Sequence, residues 1–174
     1  MESIVIHGGR ACNGLIHQPA VKIKDEIQVD NRSNIPPGIY QGKMAGWLTS
    51  GANGWNKVQI IFELIGTPHE GVCVSCYRNV HPLSTKPGLG CAFDFRITQD
   101  LALELALLFP HITNFNELTL DLLFGIVVEL KIDKVTRNHA KKVRPESVQY
   151  SKVVEVIRII DENMTRQDRR NTQF

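Results

Sequence analysis

Alternation of apolar and polar residues along two neighbouring segments constrains the fold of this chain more than any other feature. In residues 55–65 apolar side chains recur at every second position, the pattern of a strand with one buried face. Residues 39–49 have the same character, and the Gly-containing segment 50–54 is typical of a hairpin turn. The expected core face holds Val58, Ile60, Phe62 and Leu64 with Tyr40, Met44 and Leu48. The expected open face holds Gln41, Lys43, Ala45, Trp47, Trp55, Lys57, Gln59, Ile61 and Glu63.

The remaining pattern continues the β character and adds a helical insert. The predicted elements are a strand over residues 72–80, an extended piece over 91–97, a helix from the N-cap Thr98 to Pro110, a short helix over 116–124, and strands over 126–135 and 147–160. Five antiparallel strands with a helix between the third and the fourth, the order β-β-β-α-β-β, is the order of an OB-fold barrel. We therefore predict a mainly β chain with a helical insert, folded as a five-stranded OB-like antiparallel barrel. Other small barrels and α+β sheets share this order.

Length and punctuation set the expected domain boundaries. A chain of 174 residues has the length of one domain. We expect an N-terminal extension over residues 1–34 that can add strands near 4–6 and 20–29, an OB-like domain over 35–160 and a polar tail over 161–174. The chain has no apolar run near the ~20 residues of a membrane span and no secretory-signal layout at its start. The expected location is therefore the cytoplasm, away from membranes.

Charge is distributed unevenly along the chain, although its total is nearly balanced. Twenty basic and 18 acidic residues give a formal net charge of +2. Residues 98–130 contain five acidic residues and no Lys or Arg, whereas residues 131–152 contain seven basic residues against Asp133 and Glu146. Local fields, more than net charge, are what a charged partner senses. The second segment is therefore either a solvated surface loop or a patch that binds phosphates.

Aromatic and basic residues converge on the surface that an OB-like barrel uses for binding. Single-stranded nucleic acid lies there across the open face of the early strands, and stacking on aromatic side chains is worth ~1–3 kcal/mol per base. Both tryptophans are expected on that face, and their burial under the N-terminal segment or a dimer partner is the alternative. The predicted nucleic-acid-binding residues are Lys43, Trp47, Trp55, Lys57, Tyr77, Arg78, Arg137, Lys141, Lys142 and Arg144.

Cysteine spacing offers a metal site that the strand pattern disfavours. Cys73 and Cys76 have C-x-x-C spacing, and with His81 they are the candidate zinc ligands. Residues three apart on a strand point to opposite faces, which separates the two sulfurs. The expected state is free thiols in a reducing compartment, with no metal and no cofactor.

Motifs typical of catalysis are missing from the sequence. It contains no G-x-S-x-G nucleophile elbow and no H-E-x-x-H metal helix. Residues 38–43 resemble a phosphate loop, but the segment is one residue short and Met44 stands where a Ser or Thr is needed. The expected class is non-enzymatic. A small zinc-dependent or hydrolytic enzyme around Cys73, Cys76 and His81 is a rival.

Several segments together resemble a family of single-stranded DNA-binding proteins from phages and mobile elements. They are Ile35-Pro36-Pro37-Gly38-Ile39-Tyr40, the Gly-rich turn before residues 57–64, residues 71–80, the helix ending near Pro110, and Glu117-Leu118 and Gly125 before residues 127–132. The resemblance covers about residues 35–160 and implies an OB-like fold, single-strand binding in a replication, recombination or conjugation module, and no cofactor. The chain departs from this pattern in its N-terminal extension. Its tail also contains Arg166, Arg169 and Arg170, where many bacterial single-strand binders carry an acidic tip.

Two function classes remain open on these observations. The first is a non-catalytic single-stranded DNA-binding protein of a phage or mobile element, with little sequence preference, in the cytoplasm of a bacterial host. Its partners would be single-stranded DNA and replication or recombination proteins, and it could form a homo-oligomer. The second is a protein-interaction, assembly or anti-defence module of a mobile element, for which the face with Trp47 and Trp55 would be an aromatic hot spot.

Overall fold

A computed structural model describes residues 17–24, 33–49, 56–66, 68–83 and 91–160 of the chain. The strands are β1 (His17–Gln18), β2 (Val21–Ile23), β3 (Gly38–Thr49), β4 (Lys57–Ile65), β5 (Cys73–Pro82), β6 (Phe95–Ile97), β7 (Val127–Val135) and β8 (Tyr150–Ile159). The helix α1 spans Gln99–Leu108, and 3₁₀ turns span Phe115–Glu117, Leu120–Leu122 and Glu146–Val148. The strand expected near residues 4–6, the turn 50–54 with Trp55, and the tail 161–174 lie outside the described residues.

The described strands form an open antiparallel sheet. Their order is β1-β6-β5-β4-β3-β7-β8, and β2 pairs with β3 beside this path. The prediction of a mainly β chain with one helical insert is confirmed. Closure into a five-stranded barrel is not confirmed, because the sheet of the described residues has eight strands and its two ends do not pair. The additional strands are the short ones, β1, β2 and β6. Of these, β2 and β6 lie within the segments 20–29 and 91–97 that were predicted to be extended, whereas β1 was not predicted.

The chain divides into two compact units, and each is described by itself. The first unit comprises residues 1–25, 46–60 and 77–124, and the second comprises residues 26–45, 61–76 and 125–174. In the first unit, β6 pairs with β1 on one side and with the end of β5 on the other. In the second unit, β7 pairs with residues 38–43 of β3 and, over its full length, with β8.

The helix of the first unit begins and ends where its sequence predicts. Thr98 is the N-cap, and its Oγ1 accepts a hydrogen bond from the Leu101 N–H at 3.3 Å. Leu101 and Leu105 lie on the buried face, and the helix ends at Leu108, two residues before Pro110. The segment 116–124, expected to form a second helix, instead forms 3₁₀ turns. Its buried residues Leu118, Leu120 and Leu123 lack the four-residue spacing of an α-helical face.

Burial along the central strands differs from the expected open face. The core positions of β4 are buried as predicted, with Val58, Ile60, Phe62 and Leu64 at most 3% exposed. Gln59 and Ile61 are also buried, as are Ala45 and Trp47 on β3 and Cys73 and Ser75 on β5. The prediction that Gln59, Ile61, Ala45 and Trp47 lie on an open face is wrong. Alternation marks one buried face, but it cannot show that other chain segments cover the second face of an interior strand.

Candidate nucleic-acid interface

The basic segment between β7 and β8 folds as an ordered hairpin tip in the second unit. Arg137 and Val143 form an isolated antiparallel bridge across it. Asn138 organises the turn: its N–H donates to the Lys142 carbonyl, and its side-chain Oδ1 accepts from the Lys142 N–H, both at 2.9 Å. Lys141 completes the turn with a φ of 59°. We call the residues 136–145 the basic tip.

The basic tip presents cations that no carboxylate neutralises within the part of the chain that the structure describes. Arg137, Lys141 and Lys142 are exposed, and none forms an ion pair with a described residue. The Arg137 guanidinium donates only to the Lys141 carbonyl, at 3.3 Å. A cluster of unpaired cations on an ordered turn is suited to contact a phosphate backbone.

Arg144 and Tyr150 place an aromatic ring at the base of the basic tip. The Arg144 guanidinium carbon lies 5.6 Å from the centroid of the Tyr150 ring, within cation–π range. Its Nε donates to the Arg137 carbonyl at 3.3 Å, and its own carbonyl accepts from the Gln149 side chain at 3.0 Å. Tyr150 is half-buried, so one part of its ring remains accessible.

The strand register extends this site along the outer face of β7 and β8. Tyr150 pairs with Val135, and Lys152 pairs with Asp133. Because residues two apart on a strand share a face, Lys152 lies on the same side as Tyr150. The core lies on the opposite side, where Val128, Leu130 and Ile132 are buried. The exposed Lys152 therefore continues the basic surface away from the tip.

Lys43 also belongs to the second unit, but it lies far from the basic tip. Lys43 is exposed and pairs with Val127, the first residue of β7. The basic tip follows Val135, the last residue of that strand. Eight residues of strand separate the two ends by roughly 26 Å. The structure thus brings Arg137, Lys141, Lys142 and Arg144 together and leaves Lys43 apart from them.

Trp47 is buried in the first unit and offers no surface for stacking. Its side chain is 0% exposed, and its indole N–H donates to the Pro19 carbonyl at 2.9 Å. The Lys22 ammonium lies 5.5 Å from the Trp47 ring centroid and forms an ion pair with Asp121. The prediction of Trp47 as a base-stacking residue is wrong, because the segment 17–24 covers it. Trp55, the other predicted stacking residue, lies outside the described residues.

Among the remaining predicted residues of the first unit, two side chains are half-buried and one forms an ion pair. Lys57 and Tyr77 are half-buried. Arg78 binds Glu104 of α1, with its Nε 2.8 Å and 3.1 Å from the two carboxylate oxygens. Its charge therefore serves to attach the helix to β5, and a role in phosphate binding does not follow for it.

The cysteine region does not bring the candidate zinc ligands together. Cys73 and Cys76 are buried thiols on β5, whereas His81 is exposed further along the same strand. Within the described residues no group of three or more His, Cys, Asp or Glu side chains is placed to hold a metal ion. Burial raises the pKa of the Cys73 thiol, and the negative charge of Glu63 raises it further. Cys73 is thus held in its neutral, unreactive form.

Sequence reasoning missed Tyr150 and Lys152. The signal was present: Tyr150 follows the basic segment directly and opens an alternating strand in which Lys152 occupies the same face. The basic segment itself was correctly located because its residues are neighbours in the chain.

Comparison with known proteins finds no match for this chain. No protein-family model matches the chain, and no curated protein and no solved structure matches it either. Among the described residues, no helix is long and apolar enough to cross a membrane.

Proposed function

We propose that this chain binds single-stranded DNA through the basic tip and the adjoining Tyr150. The observation that carries the proposal is the ordered cluster of Arg137, Lys141 and Lys142, which have no acidic partner among the described residues, beside the Arg144–Tyr150 pair. A phosphate backbone neutralises such cations, and the accessible part of an aromatic ring can stack with a base.

Each part of the site has a distinct role in this proposal. The side chains of Arg137, Lys141 and Lys142 contact successive phosphates. One base stacks on Tyr150, whose ring orientation is held by Arg144. Because every base has a π face and every nucleotide a phosphate, these contacts confer little sequence preference. The protein needs no cofactor and catalyses no reaction for this task.

The OB-like fold is part of the same proposal. Its support is the order of the five long strands, β5-β4-β3-β7-β8, with α1 between the third and the fourth in the chain. When these five strands are numbered along the chain, their order in the sheet is 3-2-1-4-5. This is the order of the strands in an opened OB barrel. We extend the proposal to a cytoplasmic role in a replication, recombination or conjugation module of a phage or mobile element, with homo-oligomers and recombination proteins as further partners.

A test of the proposal is titration of a fluorescently labelled oligo-dT, followed by anisotropy at ~50 and ~200 mM salt. We expect the logarithm of the affinity to fall with the logarithm of salt concentration with a slope of about −2, since three cations neutralise phosphates. Lys141→Ala with Lys142→Ala should weaken binding roughly tenfold or more and flatten the slope by about 1.4.

A matched control removes the same number of charges elsewhere. Lys24 and Arg158 are exposed, and neither belongs to the proposed site. Lys24→Ala with Arg158→Ala should leave affinity within about twofold of the unaltered protein, since neither is asked to contact phosphate. Absence of salt-sensitive binding, or equal losses in both double variants, contradicts the proposal.

A protein-interaction module remains the competing hypothesis. Its expected aromatic hot spot is weakened because Trp47 is buried. One other observation favours it: Leu103 and Leu107 are one helical turn apart on α1 and are 47% and 84% exposed. Leu107→Asp should leave binding to oligo-dT unchanged under the DNA-binding proposal. Two observations together support the competing hypothesis. They are a change in the oligomeric state of that variant, measured by light scattering, and the absence of DNA binding in both the variant and the unaltered protein.

A further inference from the structure

Three strands of the first unit align two histidines and an arginine in a single row. Arg96 on β6 pairs with His17 on β1 and with His81 on β5. Directly opposed residues of antiparallel strands point to the same face with their Cβ atoms ~4.5–5.5 Å apart. The side chains of His17, Arg96 and His81 therefore stand next to one another. We call them the His–Arg–His row.

The row lies on the open side of these three strands. The neighbouring pairs point the other way, and there Gln18, Phe95, Val80 and Ile97 are at most 3% exposed. His81 is exposed, and His17 and Arg96 are half-buried. A ligand can thus approach the row from solvent while the stem of Arg96 is held by the surrounding sheet.

Arg96 carries a charge that the described part of the chain leaves uncompensated. Its Nε is buried without a hydrogen-bond partner, and no described carboxylate forms an ion pair with it. A guanidinium offers several planar donors, which match the oxygen atoms of a phosphate. An unpaired arginine between two imidazoles is therefore suited to an anion with several oxygens.

Asp94 fixes the end of the row at His17 and leaves the end at His81 open. The Asp94 Oδ2 accepts a hydrogen bond from His17 Nε2, and its Oδ1 accepts one from the Ala20 N–H, both at 2.9 Å. Both carboxylate oxygens are thus occupied by donors. On the other side, Asn79 lies two residues before His81 on the same face of β5 and is exposed. The open end therefore combines Arg96, His81 and Asn79, which all offer N–H donors.

We propose that the His–Arg–His row is a phosphate-binding site, with the phosphate held between Arg96 and His81. The site lies entirely in the first unit and does not depend on the basic tip. Its ligand is a phosphate group of a free nucleotide or of a nucleic-acid strand, which present the same oxygen atoms. No bond is made or broken in this site.

The experiment follows the histidine ring signals by NMR while inorganic phosphate is added to the full-length protein. We expect saturable shifts of the His17 and His81 signals, and an affinity about tenfold lower in Arg96→Gln, the loss typical of a removed charge-assisted hydrogen bond. His81→Ala provides a second variant that keeps the fold, since His81 is exposed and its side chain forms no hydrogen bond with another described residue. It should also weaken binding, whereas His111→Ala, at the end of α1, should not.

The outcomes separate this site from the basic tip. The proposal is overturned if no shifts appear, or if they are unchanged in both Arg96→Gln and His81→Ala. It is also overturned if the shifts disappear in Lys141→Ala with Lys142→Ala. Thymidine 5′-monophosphate and oligo-dT are the further probes. The probe that displaces inorganic phosphate at the lower concentration of its own phosphate groups identifies the source of the ligand. Loss of oligo-dT binding in the tip variant with intact phosphate shifts supports both sites independently.

Discussion

The guanidinium of Arg144 lies over the ring of Tyr150, with 5.6 Å between its carbon atom and the ring centroid. This contact orients the ring of Tyr150 beside the basic tip. Tyr150→Leu removes the ring on which a base would stack. It should lower the affinity for oligo-dT about tenfold, because stacking of a base on an aromatic side chain is worth ~1–3 kcal/mol. Tyr150→Phe keeps the ring and should bind within about threefold of the unaltered protein. Anisotropy titration at constant salt measures both effects.

Phe115 offers a matched control for the loss of an aromatic ring. It is 41% exposed in a 3₁₀ turn of the first unit and belongs to neither proposed site. Phe115→Leu should leave affinity unchanged. Equal affinities of Tyr150→Leu and the unaltered protein would remove Tyr150 from the interface.

Trp47 is expected to affect stability and not DNA binding. Trp47→Phe removes the N–H that bonds the Pro19 carbonyl and shrinks a ring that is 0% exposed. The expected cost is about 1–3 kcal/mol of the free energy of unfolding, from the cavity and the unpaired carbonyl. Urea unfolding measures this cost, and anisotropy should show unchanged affinity for oligo-dT. Weaker binding by a fully folded Trp47→Phe protein would restore Trp47 to the site.

Local sequence signals predicted the elements of the fold well. The alternation in β4, the N-cap Thr98 and Pro110 after α1 each act within a few residues, and each element lies where its signal predicts. The coverage of the strands was not predictable in this way. Whether Gln59 or Trp47 meets solvent depends on segments distant in sequence, as the bond from Trp47 to Pro19 illustrates.

The same distinction applies to the candidate sites. The basic tip was predictable because its cations are consecutive in the chain and share one turn. The His–Arg–His row was not, since His17, His81 and Arg96 share no sequence spacing and meet only through the register of three strands. Arg78 shows the same dependence on distant segments, because the fold supplies Glu104 as a partner that its sequence position did not indicate.

Ser151 makes a reciprocal pair of hydrogen bonds with the backbone of Ile35 in the second unit. Its Oγ accepts from the Ile35 N–H at 2.6 Å and donates to the Ile35 carbonyl at 2.8 Å. Both residues are buried. Ser151→Ala leaves two buried backbone groups unpaired and should lower the free energy of unfolding by about 2 kcal/mol or more. Ser147→Ala, at an exposed position in the same unit, should change it by less than about 0.5 kcal/mol in the same urea titration.

Cys73 should make the second unit sensitive to alkaline pH. Burial, with a contribution from Glu63, raises the pKa of its thiol in the folded state above that of the unfolded chain. Above about pH 8.5 the unfolded chain loses this proton first, so the unfolded state binds fewer protons than the folded one. The contribution to stability is thus fully present below that pH and is lost as pH rises through the folded-state pKa.

The measurement compares the free energy of unfolding at about pH 7 and about pH 9.5 in the unaltered protein and in Cys73→Ala. The variant should lose less stability over this interval. Cys91→Ala, which removes an exposed thiol, should behave like the unaltered protein. An identical pH dependence in all three proteins contradicts the prediction.

Gly46 is required where the first unit's part of β3 passes close to β2. Its φ is +148°, and a Cβ atom there would overlap the Lys22 carbonyl oxygen and lie 2.6 Å from the Ile23 Cα. These are backbone atoms, which cannot move aside without breaking the β2–β3 pairing. Gly46→Ala should therefore cost about 3 kcal/mol or more, a loss of the size that overpacked positions and strained backbone produce together. Gly66 separates the two causes, since its φ is +62° and, apart from the glycine and its chain neighbours, no described residue lies within 4 Å of a Cβ built there. Gly66→Ala should cost only about 1–2 kcal/mol, the penalty for the left-handed conformation alone. Urea unfolding measures the loss in free energy of unfolding for both variants. Equal losses would mean that the close approach of Lys22 and Ile23 does not limit the residue at position 46.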